Sequence, residues 1–341
     1  MTGDTGARIT LAAVQARSRP GEVTANLEHA EPLVEQAAAQ GARLVVLPEL
    51  FSCGYVPNRA VWDYAEARNG PTSRWLAATA GRLGIYLGAG AAETDGADFF
   101  NVFILAGPDG QVTGRAYKAN AEASVFRRGR SEHLIVTPAG RVGIGICADN
   151  QFAAQLRLMR EQRADLILMP HASPTPVRAA GLVSQADVAA QQRRMIDLPV
   201  LYARSLGVPV VFVNQVGPLL PVGGLLGRLM NPQIWRLRGQ SRIVDGDGSV
   251  LGQLDDEEGV LTVRAVLDPV PQHFDVPPSY SGWLQPGSWA ARHLIIPADI
   301  GNGRLMYAAS RQRRRKARLA AAPVPGGATM SAGGRPEAHP A

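Results

Sequence analysis

Hydrophobic positions along this chain recur with two periods, and each period marks a type of element. "RITLAAVQ" alternates like a strand, whereas "NLEHAEPLVEQAAAQG" carries Leu27, Ala30, Val34 and Ala37/Ala38 at helical spacing and ends at Gly41, a helix stop signal. "RLVVLP" is short, continuous and β-branched, as expected of a strand buried on both faces. A helical stretch around residues 73–82 leads into the glycine-flanked strand "GIYLGAG". "NVFILAGPDGQVTGRAYK" reads as two strands joined by a Pro-Asp-Gly turn, hence antiparallel. Then come a strand into Cys147, a helix about residues 153–162 and the strand "DLILMP". The long helix "VAAQQRRMIDLPVLYARSLG" precedes the strand "VPVVFVNQ"; the hairpin "SRIVDGDGSVLGQL" and the strand "GVLTVRAVL" finish the series.

Strands and helices that alternate, with hairpins interleaved, predict a mixed sheet covered by helices rather than a purely parallel one. No internal repeat is present. Beyond about Pro269 proline density rises and periodicity is lost. The expected organisation is one domain over residues 8–268, an extended arm over 269–303 and a basic, disordered tail over 304–341.

Composition adds that 46% hydrophobic and 19% charged residues in 341 suit a soluble globular chain with a sizeable core. The start lacks a basic patch followed by an apolar run, and no apolar segment is long enough to span a bilayer, so no membrane association is expected. Two cysteines, Cys53 and Cys147, make no disulfide framework, which points to a reducing cytoplasm. The net charge of +6 raises nucleic acid as a partner until the charges are located. From Gly301 onward there are eight basic residues and one acidic, leaving the first 300 residues one charge negative. The basicity belongs to "RQRRRKAR" and its surroundings, which read as a solvated tail.

The phosphate-binding glycine loop, the dinucleotide glycine spacing and Gly-x-Ser-x-Gly are all absent, and the six histidines lie outside metal-ligand spacing, so no metal is expected. What remains is three polar residues at strand ends. Glu49 follows "RLVVLP", Lys118 follows "VTGRAY" and Cys147 ends "VGIGI". Ligand sites in open α/β sheets collect at strand ends. A thiol near its usual pKa needs a base or a cation to become a strong nucleophile, and a carboxylate and a lysine supply both. Each residue also has a plainer reading: a loop-capping Glu, a solvated Lys, a core Cys.

"LVVLPELFSCGY", "GRAYKANAEASVFRRG", "VGIGICADNQFAAQLRLMREQRADLILMPHAS" and "VPVVFVNQVG", in that order, resemble the carbon–nitrogen hydrolase (nitrilase) superfamily, amidase-like branch. The likeness runs from about Ile9 to Leu267 and takes in the late "GQSRIVDGDGSVLGQL". It implies a four-layer αββα sandwich with mixed sheets, paired into homodimers or larger homo-oligomers. It also implies a Glu–Lys–Cys triad on Glu49, Lys118 and Cys147, acting without a cofactor on a small-molecule amide. By this resemblance Cys147 forms a thioester, Glu49 moves the protons, and Lys118 with the Ala148 backbone N–H holds the oxyanion. The family's second glutamate falls on Glu122, and Asp149, Tyr55, His171 and Asn214 fall in blocks near the pocket.

Two departures stand out. Lys118 and Glu122 are only four residues apart, where the family places a longer loop, and Phe152 is followed by Ala153 and Ala154 instead of Pro-Glu. Cys147-Ala148-Asp149 looks more like the Cys-Tyr-Asp of amidases than the Cys-Trp-Glu of nitrilases. The expected activity is hydrolysis of a small linear amide or N-carbamoyl compound. The alternatives are a nitrile hydrolase, an amide- or acyl-transferring relative, and, from another class, an inactive binding protein.

Overall fold

A computed structural model of the chain describes residues 8–129, 133–138, 140–180, 183–224, 227, 233–267, 279–285 and 291–322. The first half contains β1 (Arg8–Gln15), α1 (Val23–Ala39), β2 (Leu44–Val46), β3 (Glu66–Ala67), α2 (Pro71–Leu83), β4 (Tyr86–Thr94), β5 (Phe99–Ala106) and β6 (Val112–Tyr117). The second contains β7 (Leu134–Thr137), β8 (Gly140–Ile144), α3 (Ala153–Glu161), β9 (Leu166–His171), β10 (Pro174–Pro176), α4 (Gln185–Leu206) and β11 (Val210–Asn214). After these come β12 (Val216–Pro218), β13 (Trp235–Arg238), β14 (Arg242–Val244), β15 (Val250–Gln253), β16 (Gly259–Val266), α5 (Ile296–Ala309) and α6 (Arg311–Ala321).

Two large sheets form, ordered β16-β1-β2-β4-β5-β6 and β15-β14-β11-β9-β8-β7, with β3 beside β4 in the first and a small sheet β10-β13-β12 apart. In the first, β1, β2 and β4 run parallel and β16, β5 and β6 pair antiparallel around them. In the second, β8, β9 and β11 run parallel between antiparallel β7 and β14. Both sheets are mixed, as the alternation of helices and hairpins predicts.

The layering follows from the two-residue period of the strands. Ala12 and Val14 of β1 and Val45 of β2 face α1 and α2, packing with Leu27, Val34 and Leu76. Leu11, Ala13, Leu44 and Val46 point the other way, against Val142, Ile144, Val211 and Val213 of the second sheet. Val210 and Phe212 face Leu156 of α3 and Leu198 and Tyr202 of α4. The order is helix, sheet, sheet, helix: an αββα sandwich.

The helices are delimited by ordinary signals. Pro71 opens α2, Gly84 and Gly207 end α2 and α4 in the left-handed conformation, and Ser184 with Asp187 makes a capping box at the start of α4.

The C-terminal segment departs from expectation. The boundary placed between 303 and 304 falls inside α5, and the basic run "RQRRRKAR" is α6. By its charge the basic run reads as a solvated tail. Its described part is ordered instead by specific polar anchors on the body. Arg313 is buried against the Asp98 carboxylate, donates to Ala97 O at 2.8 Å and lies 4.5 Å over the Tyr307 ring. Lys316 pairs with Asp63 at 2.6 Å. Tyr307 meets Trp62 edge-on at 6.2 Å, and Trp62 stacks on Phe99 at 5.7 Å. Residues 269–278, part of the expected arm, and residues 323–341 of the expected tail lie outside the described residues.

Candidate active site

Glu49, Lys118 and Cys147 each stand within three residues of the carboxyl end of a strand, on β2, β6 and β8 respectively. Because β6 is antiparallel to β5 and β5 to β4, β6 ends at the same edge as β2. Face-to-face packing of the sheets brings that edge against the second sheet: Ala172, just past β9, donates its N–H to Glu49 Oε2 at 2.9 Å.

Glu49 is fully buried, and its backbone is threaded through a tight place. A Cβ on Gly90 would stand 2.3 Å from Leu50 N and 2.6 Å from Glu49 Cα, so any side chain there would push the loop aside. Leu50 takes a φ of 47°, the left-handed region, and Gln215 Nε2 holds Glu49 O at 2.6 Å. The carboxylate accepts from Lys118 Nζ at 2.6 Å and from Asn101 Nδ2 at 2.8 Å. Burial raises its pKa above the ordinary 4.5, against the opposing pull of the Lys118 ammonium.

Lys118 is equally enclosed, with a side chain 1% exposed. Its Nζ also meets Glu122 Oε1 at 3.1 Å, and Tyr55 Oη donates to that same oxygen at 3.0 Å. Burial by itself lowers the Lys118 pKa, but the Glu122 and Glu49 charges outweigh it and hold the ammonium well above its ordinary value. The short spacing from Lys118 to Glu122 therefore still lets the two side chains meet. Glu122 Oε2 is buried and has no hydrogen-bond partner among the described residues.

Cys147 begins the helical turn Cys147–Gln151 with a φ of 46°. A non-glycine residue in this region stores about 1–3 kcal/mol of strain, a feature concentrated at functional sites. The thiol is half-buried and lies 3.1 Å from Ser173 Oγ. Burial raises its pKa first, Glu49 adds to the rise, and Lys118 and Ser173 oppose it. Ala148, half-buried, follows in the first turn, where helix geometry gives its N–H no intrahelical acceptor.

The remaining candidates hold these three in place. Asp149, buried, accepts from Ala119 N at 3.2 Å and Asn120 N at 2.7 Å, which ties the loop after Lys118 to the Cys147 turn. His171 bridges Asn150 and Ser173 at 3.0 Å each, and burial, with the Lys118 charge, lowers its pKa to about 3. Asn214 accepts from Ser173 N at 2.9 Å and donates to Gly239 O at 3.1 Å. Ser173, Asn101, Asn150 and Gln215 were not singled out in the sequence. Asn101 could have been, as an amide inside the apolar strand "FFNVFILA". A cavity of about 660 Å³ beside the site is lined by Ala119, Asn120, Arg127, Arg128, His133 and Phe152 among others, with Cys147 outside its lining.

This arrangement defines a class: a cysteine on a strained turn, facing a buried glutamate–lysine pair where two sheets of an αββα sandwich meet. The carbon-nitrogen hydrolase family model matches residues 10–270, and the chain belongs to that family. The chain is 34% identical over 160 residues to an omega-amidase of Danio rerio, covering 43% of this chain and 57% of that protein. It is 33% identical over 185 residues to a nitrilase of Pyrococcus abyssi, covering 50% of this chain and 70% of that one. The chain thus spans a little over half the length of the omega-amidases it matches. Among solved structures, a carbon-nitrogen hydrolase from Helicobacter pylori shares the fold with a TM-score of 0.67 at 23% identity, over 77% of this chain and 90% of that one. An amidase from Nesterenkonia sp. does so with a TM-score of 0.63 at 24% identity, over 79% and 94%. No described helix is long and apolar enough to cross a membrane.

Proposed function

We propose that this chain is a thiol amidohydrolase that cleaves the C–N bond of a small linear amide or N-carbamoyl compound through a Cys147 thioester. The observation that carries the reading is the buried Lys118–Glu49 contact at 2.6 Å, set beside a thiol that stays protonated at rest. Glu49, its pKa raised by burial, takes the thiol proton as sulfur attacks the carbonyl carbon. Lys118 Nζ and the Ala148 N–H stabilise the oxyanion. Glu49 then passes the proton to the departing nitrogen, the C–N bond breaks, and ammonia or an amine leaves the thioester. Water attacks that thioester, gives its proton to Glu49, and the acid leaves as the thiol is restored.

An amide fits better than a nitrile because Glu122 Oε2 is a buried acceptor without a hydrogen-bond partner among the described residues. An amide nitrogen offers it an N–H, and a nitrile nitrogen does not. The name of the Danio rerio relative points the same way, and that of the Pyrococcus abyssi relative points to the nitrile alternative. Incubation with a panel of linear amides, N-carbamoyl compounds and nitriles, assayed for ammonia, tests the reading. Ammonia from amides or carbamoyl compounds, with an acyl adduct on Cys147 by intact mass, is the expected result. Turnover of nitriles alone, or transfer to an added amine in place of hydrolysis, would replace it with one of the rival activities. No turnover and no adduct across the panel favours an inactive binding protein.

A further inference from the structure

We propose that Ser173 is a further catalytic residue, donating its hydroxyl proton to the Cys147 sulfur, with His171 and Asn150 as positioning residues that fix the direction of that donation. The inference rests on the reading of Cys147 as the nucleophile.

The direction can be deduced one atom at a time. Gly145 O can only accept, and the Asn150 amide nitrogen faces it at 2.7 Å. The same nitrogen stands 3.0 Å from His171 Nε2, so its second proton goes there and Nε2 must accept. His171 is neutral, its pKa lowered to about 3 by burial and by the Lys118 charge, so its single proton sits on Nδ1. Nδ1–H then donates to Ser173 Oγ at 3.0 Å. The serine oxygen accepts there, Nδ1 cannot take the serine proton, and with Cys147 ionised that proton points to Sγ at 3.1 Å. Once ionised, that sulfur can only accept.

The chain of donors is enclosed in the interior. Asn150 and His171 are fully buried and Ser173 nearly so. A Cβ on Gly145 would come within 1.8 Å of Asn150 Oδ1, so the glycine before Ile146 makes room for the amide. Asn214 pins Ser173 through N–H at 2.9 Å and C=O at 3.3 Å, and Phe212 packs on the imidazole at 4.6 Å. Among the ionisable groups acting on Cys147, Glu49 and Glu122 raise its proton affinity and Lys118 lowers it, with the Tyr55 phenol close by. Lys118 is the cation of that set, and it is shared between two carboxylates. Ser173 adds a neutral donor that favours the thiolate both when it attacks and when it departs from the acyl intermediate.

The test is the rate of Cys147 alkylation by iodoacetamide against pH, read by intact mass in a Cys53→Ala background. Ser173→Ala should raise the midpoint by about one pH unit and slow alkylation at pH 7 about tenfold, the effect of one charge-assisted hydrogen bond. His171→Leu should move the midpoint the same way. His171→Asn, which restores an N–H near the Nδ1 position, should bring it back toward the parent value. A purely structural role would lower stability in all three variants without this pattern. If Ser173→Ala does not fold, the His171→Leu and His171→Asn pair decides. An unchanged midpoint, with Cys147 still alkylated in the parent, overturns the donor role and leaves the nucleophile reading standing. Failure of iodoacetamide to modify Cys147 in the parent overturns both.

Discussion

Lys118 Nζ lies 2.6 Å from Glu49 Oε1, with side chains 1% and 0% exposed, so a lysine and a glutamate that follow separate strands neutralise each other in the interior. Removing one partner of such a pair leaves an uncompensated charge. The pair is coupled, so protonation at one member changes the other.

Lys118→Met should lower kcat by about two to three orders of magnitude, the loss expected for one oxyanion donor. Lys118→Arg should recover little, because a planar guanidinium does not fit the space of a compact ammonium between two carboxylates. Steady-state kinetics on a substrate from the ammonia panel, with circular dichroism to check the fold, measures this. Near-normal turnover in Lys118→Met would make the lysine a bystander.

The pH profile should carry the imprint of Glu49. The base works only when ionised, and burial raises its pKa, so the acid limb of kcat/KM should have its midpoint above 4.5. As pH falls through that midpoint, activity is lost. Lys118→Met removes the influence that lowers the pKa and should move the limb further up. A wild-type limb at or below 4.5 contradicts the assignment.

Cys147→Ala should abolish turnover and Cys53→Ala should keep most of it. Cys53 is buried, its thiol is pushed up to about 12 by burial and then by Glu66, and it donates to Gly54 O at 3.5 Å. It sits close enough in sequence to Glu49 to mislead an alkylation experiment on the intact chain. Comparable losses in the two variants would remove the special role of Cys147.

Gly90→Ala tests how finely the base is placed. The added Cβ would press on the backbone at Glu49 and Leu50. A misplacement of about 1 Å costs about a hundredfold in rate. The expected result is a fall of that size in kcat with the fold retained by circular dichroism, and full activity would count against it.

Arg313→Ala should lower stability by about 2 kcal/mol, the scale of hydrogen bonds to a charged group. It removes one of the two arginines on Asp98 and leaves Arg127, which is more exposed. Denaturant unfolding reads the change. Truncation near Gly303 removes Arg313, Lys316 and Tyr307 together and should cost more; stability equal to wild type in both variants would make the segment after Gly303 passive.

The order of the main strands and helices, from β1 to the last long strand β16, is legible along the chain because it follows from periods of two and about 3.6 residues. The sequence by itself also placed Glu49, Lys118 and Cys147 at strand ends, and the resemblance of four ordered blocks supplied their proposed roles. Tertiary structure decided what touches what. The Ala172 N–H reaches Glu49 across 123 residues, a contact made by the packing of two sheets and unmarked in either segment. Ser173 reads as one more small residue after a strand until the fold sets it 3.1 Å from the nucleophile. The basic run near the C-terminus has the composition of a solvated tail, and its order comes from Asp98 and Asp63, more than two hundred residues away. Periodicity is local and legible along the chain; the partners of buried charges are not local, and only the folded arrangement selects them.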